Sequence, residues 1–196
     1  MKIGIEIEFN MTNEDLAEFM TDLYLEDIDY EFYDELKAHY RHTSVSELVI
    51  KPERSISGWE VNIPPNMIGR LEAILGLLNK HNPTFHEKAA LHIHVDTYYL
   101  SRFNIDCLHN YYFAHQDEII KFAEEHDLYL DLNAPVLENM KDEKRKTRLN
   151  IRHAMAKHKT VEHRIYKATT DYNKVLIAIS QTLNIIKEGV NENENN

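Results

Sequence analysis

The sequence predicts an α+β fold, a mainly antiparallel sheet with helices on one face and a metal-lined groove on the other. Three observations carry that expectation. Apolar and polar positions alternate strictly along residues 2–9, and strands at 89–97 and 160–166 repeat the pattern around Leu91, Ile93 and Val95 and around Val161 and Ile165, the period of a strand with one buried face. Apolar residues recur at helical spacing in four segments between and after these strands. Ser and Gly punctuation inside residues 46–63, closed by Pro64 and Pro65, marks a hairpin.

In chain order, Ile3, Ile5, Ile7 and Phe9 form the apolar face of the first strand, with Gly4, Glu6 and Glu8 opposite. Thr12 caps a helix carrying Leu16, Phe19, Met20 and Leu23, which ends near Glu26. Residues 27–40 are acidic and aromatic without a clean period and read as a short helix or an irregular segment. Residues 46–53 and 59–63 form the hairpin, followed by a helix over 67–80 with Ile68, Leu71, Ile74, Leu75 and Leu78 on one stripe. His81, Asn82 and Pro83 end that helix, and a strand follows at 89–97.

Leu108, Tyr112, Ile119 and Phe122 give the stripe of a helix over 105–126, where His115 reads as a satisfied core residue and not a ligand. After a basic stretch come a strand at 160–166 and a helix over 171–187, with Leu176, Ile179, Leu183 and Ile186 inward and Gly189 beyond its end. The length of 196 residues fits one domain, assigned to residues 1–189, with residues 190–196 as a disordered tail.

Composition narrows the function. Hydrophobic residues at 43% and charged residues at 28% describe a soluble globular chain, and no apolar run reaches the roughly 20 residues that span a bilayer. One cysteine, Cys107, excludes an internal disulfide and any cysteine metal site, and with the absence of a signal-peptide pattern it predicts a cytoplasmic protein. A formal net charge of -11 argues against nucleic acid as the main partner. Residues 141–159 run the other way, with eight Lys or Arg against Asp142 and Glu143. Such a segment fits either a solvated face or a lid over an anionic ligand.

The chemistry lies on the polar faces of the strands. Glu6 and Glu8 present neighbouring carboxylates, which repel unless a positive charge lies between them. Taken alone they fit a solvated face as well as a cation site. His92, His94 and Asp96 repeat the device opposite Leu91, Ile93 and Val95, and Glu162 with Arg164 repeats it opposite Val161 and Ile165. The hairpin adds Glu53 and Glu60, close across the turn. Any one pair is a weak signal. Several strands placing acid, His or Arg opposite an apolar face describe a groove lined with hard and borderline metal ligands.

Four segments in order, GIEIEF from Gly4, KPERSISGWEVNIPP from Lys51, LHIHVD from Leu91 and TVEHRIYKATTD from Thr160, resemble the amidoligases of the carboxylate-amine ligase superfamily. Glutamine synthetase and glutamate-cysteine ligase are that superfamily's better-known relatives. The resemblance spans residues 2–186 and implies a glutamine-synthetase-like catalytic fold. It implies two metal sites, one of Glu8, Glu53 and Glu60 and one of Glu6, His92 and Glu162, with His94 and Arg164 facing the phosphates of ATP. The chain has Ala89 and Ala90 where the family often has a Gly before the HxH strand, and Glu53 where Asp is commoner.

The activity so implied is an ATP-dependent ligase using Mg²⁺ or Mn²⁺, joining a carboxylate of an amino acid or peptide to an amine through an acyl phosphate. Arg164, with Arg152 beside it, would compensate phosphate charge; neither a GxxxxGK[ST] nor a GxGxxG pattern is present to do so. Residues 27–40 and 129–148 are the expected substrate contacts. Family members are frequent in bacteriophages and accompany glutamine-amidotransferase-like proteins, which suggests such a partner. The alternatives are a metal-dependent hydrolase and a non-catalytic binding or scaffold module on the same fold.

Overall fold

The computed structural model describes residues 1–34, 47–131, 148–151 and 159–191. Its elements are β1 (Ile3–Phe9), α1 (Asn13–Leu25), β2 (Tyr30–Phe32), β3 (Leu48–Glu53), β4 (Gly58–Ile63), a 3-10 segment (Pro65–Arg70), α2 (Leu71–Lys80) and β5 (Ala90–Asp96). They continue with α3 (Arg102–Glu125), β6 (Leu149–Asn150), β7 (Thr160–Lys167) and α4 (Tyr172–Asn191). The described residues therefore form an α+β unit of four α-helices and one seven-stranded sheet. No described helix is long and apolar enough to cross a membrane.

The strands lie in the order β2-β3-β4-β1-β5-β7-β6, all neighbours antiparallel except the parallel pair β2 and β3. Alternation sends Ile5, Ile7 and Phe9 of β1 and Leu91, Ile93 and Val95 of β5 into a single core cluster. Leu16, Phe19 and Leu23 of α1, Leu71 and Ile74 of α2, Leu108 and Tyr112 of α3, and Val175 of α4 complete it. Capping follows the sequence where a cap residue exists. Thr12 accepts from the Asp15 amide, and Ser101 forms a reciprocal capping box with Asn104 at the start of α3.

Several expectations are corrected. The segment read as one helix over 67–80 starts as a 3-10 turn, because Pro64 and Pro65 fix the backbone and bring no amide donors, and α2 proper starts at Leu71. On α3, Phe122 is exposed and stacks on His126, while Ala123 takes the buried position. His115 is half-buried, stacked on Tyr111 with its Nδ1 2.9 Å from the Tyr111 carbonyl oxygen, so it is not a core residue. On α4, Leu176 is exposed, and the buried stripe runs through Val175, Ala178, Ile179, Ile185 and Ile186.

Gly189 lies inside α4, not beyond its end, and the helix continues to Asn191. A Cβ at Gly189 would stand 2.9 Å from Leu108 Cδ1 and 3.0 Å from Leu108 Cα, so close packing of α3 on α4 excludes a side chain there. Two short strands were not anticipated, β2 within residues 27–40 and β6 within the basic stretch. Most of residues 141–159, read as a possible lid, lies outside the described residues.

Candidate metal centre on the charged sheet face

Strand register turns the sequence motifs into rows across the sheet. Lys51 pairs with Glu60, and Glu60 with Glu8, across β3, β4 and β1. In the next row Asn62 pairs with Glu6, and Glu6 with His92, across β4, β1 and β5. In the third, Gly4 pairs with His94, His94 with Glu162, and Glu162 with Asn150. Paired residues share a face of the sheet, so these rows place the carboxylates and imidazoles side by side.

Two groups result. Ligand atoms of Glu6, His92, His94 and Glu162 lie within 4.8 Å of one another, as do those of Glu8, Glu53 and Glu60. Opposed ligands on a divalent ion bonded at about 2.1 Å stand about 4.2 Å apart, so either group needs only a small contraction to close on a cation. The all-carboxylate group suits Mg²⁺ or Mn²⁺, while the imidazoles of the other widen its range toward borderline metals. In the groups, Glu53 is half-buried and the others are buried.

The structure thus brings together the residues of each expected metal set. It adds His94 to the second, whose Nε2 lies 3.2 Å from Glu6 Oε1. His94 had been expected at phosphate; two positions from His92 on one strand face, it shares the same carboxylates. Arg164, about 20% exposed at its side chain, lies next to this group with Nη1 2.7 Å from Glu162 Oε1. Arg152 lies outside the described residues.

Electrostatics favour a cation. The five carboxylates of the two groups, Glu6, Glu8, Glu53, Glu60 and Glu162, crowd together, with Lys51 bonded to Glu60 and Arg164 to Glu162. Burial pushes Glu60 up to about 7, with Glu6 adding to the rise and Lys51 and Asn62 opposing it. Burial likewise raises Glu8 against the pull of His92 and the Ala90 amide. His94 would be lowered by burial, but Glu6 and Glu162 overcome that and hold it up at about 9. Glu162 is held low because His92, His94 and Arg164 outweigh its burial. A divalent cation among these side chains would favour the charged form of Glu8 and Glu60 and so oppose the rise that burial causes.

His92 joins the two groups. Its Nδ1 lies 3.1 Å from Glu6 Oε2 and 3.4 Å from Glu162 Oε1, and its Nε2 lies 3.9 Å from Glu8 Oε1. That Nε2 is buried with no hydrogen-bond partner among the described residues, a costly arrangement that a metal bond would relieve. The residues fit the group the resemblance implies.

Three neighbours escaped the sequence reading. Glu60 Oε1 accepts from Asn62 Nδ2 at 2.5 Å and from Lys51 Nζ at 2.9 Å. Glu162 Oε2 accepts from Asn150 Nδ2 at 2.7 Å. Lys51 and Asn62 were findable, since they sit two positions from Glu53 and Glu60 in an alternating strand. Asn150 was not, because β6 is only two residues long. The Ala90 amide donates to Glu8 Oε2 at 3.0 Å, so an alanine backbone serves where the family often has glycine nearby.

Behind β7 lies a second polar group on the helix side. A register shift between Leu91 and Ile93 inserts one extra residue on β7, which puts His163 and Tyr166, three apart, on the same side. His163 Nε2 pairs with the Tyr112 hydroxyl at 2.7 Å and Nδ1 with Thr182 Oγ1 at 2.9 Å. The Tyr166 hydroxyl reaches His163 Nδ1, Gln181 and Thr182. This network lies at the bulge, on the opposite side of β7 from Glu162 and Arg164.

Comparison of the chain with family models, curated proteins and solved structures finds no match.

Proposed function

We propose that the protein is an ATP- and divalent-metal-dependent carboxylate-amine ligase of the amidoligase kind, working in a metal-lined groove on a glutamine-synthetase-like sheet. The observation that carries this reading is the pair of adjacent ligand groups on one sheet face with Arg164 bonded to the edge of one of them. Adjacent divalent sites beside a guanidinium are the recurring apparatus of phosphoryl transfer, where the protein's task is to position substrates and neutralise charge. The four sequence segments that resemble amidoligases supply every one of these side chains.

Ions held by Glu8, Glu53 and Glu60 and by Glu6, His92 and Glu162 would supply charge neutralisation and in-line orientation of the phosphates. Arg164 binds the transferring phosphoryl group through the exposed part of its side chain, with Nη1 remaining on Glu162. A substrate carboxylate oxygen attacks the γ-phosphorus and ADP leaves, giving the acyl phosphate. The amine nitrogen then attacks the acyl carbon, phosphate departs with the former carboxylate oxygen, and the nitrogen loses a proton. A glutamine-amidotransferase-like partner supplying the amine and a cytoplasmic setting belong to the same proposal.

The test is oxygen-18 transfer. With carboxylate-labelled amino acids or peptides, amines, ATP and Mg²⁺, released phosphate gains one labelled oxygen per product formed. Product formation with all label retained in the carboxylate-derived group contradicts the acyl phosphate. Substrate cleavage without nucleotide identifies a hydrolase instead.

A further inference from the structure

The arrangement of Glu60 mirrors that of Glu162. Each carboxylate belongs to one of the two ligand groups, each accepts from an asparagine, and each carries one permanent cation on Oε1. For Glu162 the cation is Arg164 at 2.7 Å; for Glu60 it is Lys51 at 2.9 Å. The two cationic side chains are exposed to the same degree, 20% and 21%, while Glu162 and Glu60 beneath them are 4% and 5% exposed. They also flank the two ligand groups from opposite directions across the same face of the sheet. Lys51 is on β3 and Arg164 on β7, with β4, β1 and β5 between, so their backbones stand four strand spacings apart, roughly 19 Å.

We infer that Lys51 is a second anion-contacting residue of the site, the counterpart of Arg164, meeting substrate phosphate from the β3 side. The assignment rests on the ligase reading. A lysine there differs chemically from the arginine opposite. Its ammonium is a compact point charge on a flexible stem, so it can leave Glu60 for an incoming phosphate oxygen without matching a planar fork. Asn62 stays on Glu60 Oε1 during that exchange and keeps the carboxylate oriented. The purely structural reading, in which Lys51 only holds Glu60 in place, makes the opposite prediction for metal binding.

The experiment compares the parent protein with Lys51→Met and Lys51→Arg, titrating Mn²⁺ alone and then Mn²⁺ with a non-hydrolysable ATP analogue, followed by calorimetry and the spin resonance of free Mn²⁺. In Lys51→Met the affinity for the Mn²⁺ nucleotide complex falls about tenfold, the effect of one lost charge-assisted contact of about 1.4 kcal/mol. Its affinity for Mn²⁺ alone is undiminished, and Lys51→Arg recovers most of the nucleotide affinity. Unchanged nucleotide affinity in Lys51→Met overturns the assignment, and so does weakened binding of Mn²⁺ alone, which marks Lys51 as a support for Glu60. A parent protein that binds Mn²⁺ but no nucleotide overturns the ligase reading and this assignment with it.

Discussion

Replacing Glu6 with Gln removes the carboxylate that both ligand groups feel. Glu6 is buried, stands 3.1 Å from His92 Nδ1 and 3.2 Å from His94 Nε2, and contributes to the raised pKa of Glu60. The change keeps shape and takes away one charge and one of four candidate ligands. A cation that binds only the folded protein stabilises it by about 2.7 kcal/mol when present at 100 times its Kd. For a chain of this size that corresponds to a rise in Tm of about 5–10 °C. Loss of a direct ligand weakens affinity at least as much as the 10–100-fold typical of changes around a metal site. At the same Mn²⁺ concentration a 100-fold loss leaves about 0.4 kcal/mol, or about 1–2 °C. The assay is thermal unfolding by circular dichroism with and without Mn²⁺, after the parent's Kd has been titrated. An equal Mn²⁺-dependent shift in the parent and in Glu6→Gln refutes the assignment of a cation to the group of Glu6, His92, His94 and Glu162.

Two further predictions concern what holds the sheet in place. His163 is packed among Tyr112, Tyr166 and Thr182, and burial depresses it from 6.5 to about 3. The unfolded chain therefore binds a proton below pH 6.5 that the folded chain refuses, so the parent loses about 1.4 kcal/mol of stability per pH unit, relative to His163→Gln, as pH falls from 6.5 toward 3. Parallel stability profiles from denaturant titrations of the two proteins would contradict this. Gly58→Ala destabilises by about 1–3 kcal/mol through overpacking, because a Cβ there drives into the Phe9 carbonyl oxygen and lies 2.8 Å from Asn10 Nδ2. A midpoint at or above the parent's in urea would show that β1 and the hairpin can separate at no cost.

Legibility in the sequence followed periodicity. β1 and β5 were readable because apolar residues alternate with charged ones or imidazoles and only the apolar set enters the hydrophobic core, so side-chain direction and hence the candidate ligands could be assigned from position alone. The helices were readable as elements, but their stripes were readable only in part: Phe122 and Leu176 are exposed, while Ala123 and Val175 beside them are buried. β2 and β6 were hidden because three and two residues give no period to count, and both are held by pairing to a longer neighbour. His163 was missed for a different reason. Alternation counts it as one more apolar-side position, and only the bulge opposite His92 and the tyrosines of α3 and β7 make it part of a network. Lys51, Asn62 and Asn150 are each bonded to a carboxylate of the site and are not metal-ligand types themselves, so a search for ligand types passes over them.

Occupation of both ligand groups by divalent cations is what the proposed chemistry of this face requires first. Crystals soaked with Mn²⁺ and a non-hydrolysable ATP analogue, measured for anomalous scattering at the manganese edge, should give two peaks on the charged face. One lies among Glu8, Glu53 and Glu60, and the other among Glu6, His92, His94 and Glu162. Nucleotide density with no anomalous peak between these side chains would contradict the account.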